Sequence, residues 1–300
     1  MELPADALTR VTTTGLYNQS MSREHRGCLI FLLDQSGSMT VTVKGQQYNN
    51  ADMATTTINN LLKAVVDNAG FDLQTGRRRD YCDLFIFGYG DDVHSLLDPN
   101  DNPVSVTVLA ENPRGMHEVL REEIDRGTGQ IRQVAVAQPY WIQPFANSKR
   151  TEMARVLARA RAAAQNWILA DPRRLQSFPP LVINITDGEN NGQGDPIVEA
   201  NALSQLGTQQ GHILLFNCHL TSTGAKRLSF PFDASQVQHL GRGAEQLFYM
   251  SSPIPDSMIA RARNTFSVEV PAGARGFIYN ADPQDLLNFL NWGTRTRDGE

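Results

Sequence analysis

The chain has only three cysteines in 300 residues, Cys28, Cys82 and Cys218, and no Cys-x-x-Cys pair. An odd number at wide spacing excludes a disulfide framework and a cysteine zinc site. The six histidines (His25, His94, His117, His212, His219 and His239) contain no His-Glu-x-x-His, so structural or surface roles are expected for all of them. No uninterrupted apolar stretch approaches the ~18 residues of a spanning helix, and mean hydropathy is −0.34. Membrane insertion is therefore not expected. The start, Met1-Glu2-Leu3-Pro4-Ala5-Asp6, lacks the basic-then-apolar profile of a secretory signal. A basic surplus is also missing: 27 Lys and Arg face 32 Asp and Glu, a net charge of −5, which argues against nucleic acid as a partner. There is no Gly-x-x-x-x-Gly-Lys-[Ser/Thr] loop, so ATP hydrolysis of that kind is excluded. These absences leave a reduced, cytoplasmic, globular protein as the expectation.

What is present is a series of short apolar runs separated by helical periods. Cys28–Leu33 (Cys-Leu-Ile-Phe-Leu-Leu), Cys82–Phe87 and Leu181–Ile185 read as strands buried on both faces. A further strand is predicted at His212–Leu220 and a last one at Gly276–Tyr279. Apolar residues Ile58, Leu61, Leu62, Val65, Val66 and Ala69 fall at helical spacing, with Asn49 or Asn50 as cap and Gly70 as stop. The clearest helix, 152–169, carries Met153, Val156, Leu157, Ala160, Ala164, Trp167 and Ile168 on one stripe. Helices are also predicted near 195–207, across much of 233–265, and from Asp282 to Trp292 with Asp282 as cap. Lys44-Gly45 predicts a small hairpin over 41–48, and Val93–Leu97 an antiparallel return. Within 98–147, Val104–Leu109 and Ile131–Ala137 predict strands and Met116–Ile124 a short helix. The sum is an α/β fold with a doubly wound, mostly parallel sheet, helices on both faces and one antiparallel edge strand. The organisation expected is an arm at 1–25, one domain over 26–292 with an insertion at about 98–147, and a polar tail at 293–300.

In such sheets ligands bind beyond the carboxyl ends of the strands. Two strand ends here carry oxygen donors: Asp34, Ser36 and Ser38 after the first, Asp187 after the strand at 181–185. Thr151 opens the strong helix. It is either a further donor or a helix cap, and Ser148 competes for both roles. Two carboxylates and three hydroxyls without Cys or His suit a hard cation, Mg²⁺ ahead of Mn²⁺ or Ca²⁺. Gly37 lets the loop turn sharply enough for both serines to face the ion. Arg77-Arg78-Arg79 reads as a solvated loop, and Arg155, Arg159 and Arg161 as a solvated helix face that would meet an acidic partner. Glu189 is the one extra acid beside the site.

Asp34-Gln35-Ser36-Gly37-Ser38, Thr151 and Thr186-Asp187-Gly188 together resemble the metal-ion-dependent adhesion site of a von Willebrand factor A (vWA) domain. The resemblance spans roughly 26–292, interrupted at 41–48 and 98–147. It implies a doubly wound fold with a divalent ion at the top of the sheet, held by Asp34, Ser36, Ser38, Thr151 and Asp187. It further implies a non-enzymatic adaptor whose metal accepts a Glu or Asp of a protein partner. The sequence is similar to bacterial cytoplasmic vWA proteins, some of them encoded beside Ser/Thr kinases and phosphatases in tellurite-resistance systems. That implies a kinase or phosphatase as partner and a signalling or stress and defence setting. An enzymatic reading stays open as the alternative, a metal-dependent hydrolase using the same ion with Glu189. Ser36 itself lacks the glycine two residues earlier that a Gly-x-Ser-x-Gly elbow needs. A haloacid-dehalogenase-type phosphotransfer would need an acid where Ser36 stands.

Overall fold

The computed structural model describes residues 16–71, 76, 78–124, 130–220 and 226–294. The first fifteen residues of the expected arm, Arg77, and the tail from 295 lie outside them. In chain order the strands are β1 (Gly27–Asp34), β2 (Cys82–Tyr89), β3 (Val93–Ser95), β4 (Val104–Ser105), β5 (Gly115–Ile124), β6 (Ile131–Tyr140), β7 (Leu181–Thr186), β8 (Gly207–Thr208), β9 (Gly211–His212), β10 (Leu214–His219), β11 (Leu228–Ser229) and β12 (Phe277–Tyr279). The helices are α1 (Asn50–Asn68), α2 (Val106–Glu111), α3 (Met153–Ala170), α4 (Pro196–Ser204), α5 (Arg242–Met250), α6 (Asp256–Phe266) and α7 (Pro283–Thr294).

The main sheet runs β11-β12-β10-β7-β1-β2-β3, with β4 also on β2. Its centre, β12-β10-β7-β1-β2, is parallel. The expected antiparallel strand, β3, sits at one edge, and the short β4 and β11 run antiparallel as well. Every residue of β1, β2, β7 and β10 is buried, which is why these strands read as continuous apolar runs. Alternation divides them between two cores. Leu29, Phe31 and Leu33 pack with α1, α6 and α7; Cys28, Ile30 and Leu32 pack with α3, α4 and α5. On the first face Phe216 stacks on Trp292 at 5.0 Å, and Phe230 meets Phe266 edge-on at 4.8 Å, fastening α6 and α7. All three cysteines are buried and free, and burial pushes their thiols up.

Caps follow the sequence closely. Asn49 and Asp52 form a reciprocal capping box on α1, and Gly70, at φ +57°, ends it. Asp282 and Asp285 form the same box on α7. The arginine stripe of α3 is not merely solvated: Arg155 pairs with Asp92, Arg159 grips Asp101 with two nitrogens, and Arg161 reaches Glu199.

Four expectations change. Met116–Ile124 is strand β5, not a helix. The spacing of Met116, Val119, Leu120 and Ile124 fits a helix, but ten register pairs with β6 satisfy this backbone instead. Val104–Leu109 is a strand only at Val104–Ser105. Ser105 then caps α2, whose Val106 and Leu109 bury three residues apart, while Asp80 accepts the Thr107 N–H at 2.7 Å. The hairpin at 41–48 is a turn with one isolated bridge, Thr42 to Asn49, closed by Gln46 N–H on the Val43 carbonyl at 2.9 Å. The strand at 212–220 is divided, with His212 in β9 and the ladder resuming at Leu214.

His219, at the end of β10, is buried and stacks on Tyr279 at 4.7 Å, and its Nδ1 has no partner. Burial lowers its pKa to about 4. The unfolded chain therefore binds the proton more tightly than the native one. The stabilisation is complete above the unfolded value of about 6.5 and is lost as pH falls through 4. Between pH 7 and 4 the wild type should lose about 3 kcal/mol more stability than His219→Phe, read by urea unfolding at each pH. Equal losses would show that the imidazole is not held neutral.

Candidate metal centre

The carboxyl ends of β1 and β7 lie side by side at the point where the chain turns from one half of the sheet to the other. Crossovers lead from β1 outward to β2 and from β7 outward to β10. That switch point opens a crevice above the strands. Asp34, the last residue of β1, is fully buried. Its Oδ1 accepts the Ser36 N–H at 2.8 Å, and its Oδ2 accepts the Thr186 hydroxyl at 2.5 Å. From there a row of oxygens leads outward. Ser36 Oγ lies 2.9 Å from Ser38 Oγ, and Ser38 donates to Asp187 Oδ1 at 2.8 Å. Asn50, at the start of α1, reaches the other Asp187 oxygen at 3.5 Å.

Three loops frame this row and are bound to one another mostly by backbone. The loop after β1 takes the N–H groups of Asn147 and Ser148 on the Gln35 carbonyl, both at 3.2 Å, and gives the Gly37 N–H to Ser148 O at 2.7 Å. The loop before α3 joins the loop after β7 through Thr151 N–H on Asn191 Oδ1 (2.6 Å), Met153 N–H on Asn190 Oδ1 (3.1 Å) and Gly192 N–H on Thr151 O (3.2 Å). Asp91, beyond β2, accepts the backbone N–H groups of Lys149 and Arg150. Gly90 is required here, because a Cβ at that position would stand 2.1 Å from Ser148 Oγ.

Of the five expected ligands, Asp34, Ser36, Ser38 and Asp187 are therefore brought together. Thr151 stands buried in the adjoining loop, held by its backbone groups. It does not cap α3: the cap position is Glu152, without a side-chain bond, and asparagines 190 and 191 satisfy the nearby N–H groups instead. Ser148 is bridged to Ser36. Glu189 is exposed and accepts the Gly243 N–H at 3.1 Å, the first turn of α5. Thr186, Asn50, Asn190 and Asn191 were not anticipated as site residues. Thr186 stood beside Asp187 in the motif, but its bond to Asp34 exists only because β1 and β7 are neighbours.

The electrostatics favour a cation. Burial raises the Asp34 pKa to about 6, against the opposing help of Thr186 and Ser36, and burial raises Asp187 as well. No Lys, Arg or His among the described residues pairs with either carboxylate. A buried acceptor beside Asp187, Asn50 Oδ1, also lacks a partner. The cluster is thus rich in acceptors and poor in donors, the arrangement that a hard cation completes. Among the described residues no group of three or more His, Cys, Asp or Glu is placed to hold a metal. This site differs in kind, since hydroxyls supply half or more of its donors.

No protein-family model matches the sequence, and no curated protein does. Among solved structures, the chain is similar to proximal thread matrix protein 1 from the mussel byssus, at 16% identity and TM-score 0.38, over 75% of this chain and 43% of that one. A form of the same mussel protein described as having a zinc-occupied MIDAS motif matches at 16% identity and TM-score 0.32, over 67% and 37%. A von Willebrand factor type A structure from Catenulispora acidiphila matches at 10% identity and TM-score 0.37, over 79% and 46%. The chain spans less than half the length of each of these. Similarity at that level is too low to bear on function. The strand order, with its antiparallel edge strand, is that of a doubly wound α/β sheet.

Asp34→Asn keeps the Ser36 N–H bond on its one oxygen, turns the other contact round so that its amide N–H donates to the Thr186 hydroxyl, and removes a buried charge that has no cationic partner among the described residues. In metal-free buffer at pH 8 it should raise stability by about 1–3 kcal/mol, measured by chemical denaturation; a loss would contradict the donor-poor reading. Gly90→Ala should lower the melting temperature by several degrees, and Ser148→Gly in the same chain should restore most of it by clearing the contact.

Proposed function

We propose that the chain is a divalent-metal-dependent protein-binding module, an adaptor rather than an enzyme, in which Asp34, Ser36, Ser38, Thr151 and Asp187 hold Mg²⁺, with Mn²⁺ or Ca²⁺ as alternatives. The observation that carries the proposal is the buried Asp34 carboxylate, linked through Ser36 and Ser38 to Asp187, with no basic residue among the described ones to neutralise either acid. When bound, the cation supplies a Lewis-acidic position for an oxygen ligand from outside. Two carboxylates balance a divalent charge and leave none over, so a further acid is still attracted. A Glu or Asp of a partner protein is the ligand of that description.

The protein's own residues do the rest. Ser36 N–H and Thr186 fix both oxygens of Asp34, so its geometry is set before any ligand arrives. Asn50 and Ser38 orient Asp187. The backbone bonds among the three loops hold the donors at the rim while the strand ends beneath exclude water. The hydrolytic alternative depends on Glu189. Its engagement with the α5 N-terminus favours the binding reading. The proposed setting is cytoplasmic, with a bacterial Ser/Thr kinase or phosphatase as partner in a signalling or stress and defence system. Among the described residues no helix is long and apolar enough to cross a membrane.

Mg²⁺ at about 100 times its Kd should add about 2.7 kcal/mol of stability, about 4 °C in melting temperature for a chain of this length. Asp34→Ala and Asp187→Ala should abolish that shift and the capture of a partner, and replacing the partner's acid by its amide should do the same. Full capture in EDTA would overturn the proposal.

A further inference from the structure

The β5–β6 ribbon is not accounted for by the metal site. It projects from the α1 side of the domain and is anchored there at its base. There Gln138 bonds Asn60 at 2.8 Å, Asn59 accepts the Trp141 N–H at 2.9 Å and donates to Ile142 O at 2.8 Å, and Trp141 Nε1 bonds Leu109 O at 2.7 Å. Ten register pairs at about 3.4 Å per residue make a ribbon roughly 34 Å long, paired with no other strand.

Alternation gives its two faces different characters. One carries Val119, Val134, Val136 and Gln138, which are partly or fully buried. The other carries Met116, Leu120 and Ile124, joined across the ladder by Ile131, Ala135 and Ala137. Here Met116 is 56% exposed, Leu120 68%, Ile124 69% and Ile131 66%. These four are among the most exposed large apolar side chains in the described chain, and they lie on one face. Large exposed apolar side chains gathered on one face in this way mark an interaction site.

The charges on the same face say what fits it. Glu118 and Glu122 stand between the apolar residues, opposite Ala137 and Gln133. Neither meets a Lys or Arg among the described residues. Four residues apart on one strand, they are separated by roughly 14 Å. A second copy of the ribbon would bring the same glutamates to the contact, and an anionic lipid surface would repel them. We propose that this face docks a protein segment presenting an apolar stripe flanked by Lys or Arg. It is a second interaction surface, separate from the metal centre and independent of divalent ions.

The probe is a fluorescein-labelled amphipathic helix of leucine and lysine, roughly 18 residues long, with a leucine–glutamate counterpart. Both are titrated with the full chain in about 0.15 M salt and followed by anisotropy. The lysine peptide should bind at least about tenfold more tightly than the glutamate peptide, equally in EDTA, in Mg²⁺ and with Asp187→Ala. Leu120→Ser with Ile131→Ser should weaken it about tenfold or more. Glu118→Lys with Glu122→Lys should reverse the preference between the peptides. All these side chains are exposed, so circular dichroism and melting temperature should stay unchanged. Equal binding of the two peptides, or binding untouched by either double variant, would overturn the proposal. A concentration-dependent dimer abolished by Leu120→Ser would overturn it in favour of a second copy. Sedimentation with phosphatidylglycerol vesicles, lost in the same variant, would overturn it in favour of a membrane surface. Because the readout does not require metal, its failure leaves the metal-site proposal standing, and the reverse holds as well.

Discussion

A carboxylate buried without a cation is the constraint around which the top of this molecule is arranged. Asp34 ends the central strand, fully out of solvent, where ionisation is costly. The neighbouring chain offsets that cost only partly, with one backbone N–H and one hydroxyl. The second acid, Asp187, lies at the end of a row of hydroxyls and adds to the deficit. Placing both acids at the switch point requires β1 and β7 to be adjacent and parallel. It also requires three loops to meet above them and a glycine at position 90 so that the loop carrying Ser148 can close. The fold and the site are thus one requirement seen from two sides.

Beneath the site a second polar line crosses the sheet. Tyr89 donates to Asn184 at 2.8 Å, Asn184 to Asn217 at 2.9 Å, and Asn217 to Ser251 at 2.9 Å, all of them buried. Ser251 closes the line on Leu247 O at 2.7 Å, the end of α5. Each of these groups would be expensive to leave unpaired, so together they fix the register of β2, β7, β10 and α5 more sharply than apolar packing would. The same helix is held at its other end by Glu189 on Gly243 N–H. The loop after β7 and α5 are therefore linked both above the sheet and through it. The β5–β6 ribbon obeys a different logic. It adds little to either core, and its uncovered apolar face makes sense as a surface for something else.

How far the sequence could be read depended on how local each signal was. Fully apolar runs identified β1, β2, β7 and β10, and helical stripes with Asn49, Asp282 and Gly70 placed α1 and α7 nearly to the residue. Where two periods competed, pattern alone failed. Met116–Ile124 contains good helix formers at helical spacing, but a hairpin needs only a partner strand, and β6, starting seven residues after β5 ends, supplied one. Val104–Leu109 alternates like a strand, yet Ser105 and Asp80 together start a helix there. Neither outcome depends on a residue's own preference; both depend on which neighbour satisfies its backbone.

The sequence by itself determined the doubly wound fold and the two strand ends with Asp34, Ser36, Ser38 and Asp187 on them, because apolar runs and a short motif are local properties of the chain. Tertiary structure alone decided that Thr186 bonds Asp34, that Asn50 reaches Asp187, and that Glu189 is occupied by α5. It also decided that Thr151 is held by Asn191 and does not cap its helix. These are contacts between segments many residues apart. They follow from strand order and loop packing, and no spacing along the sequence encodes them.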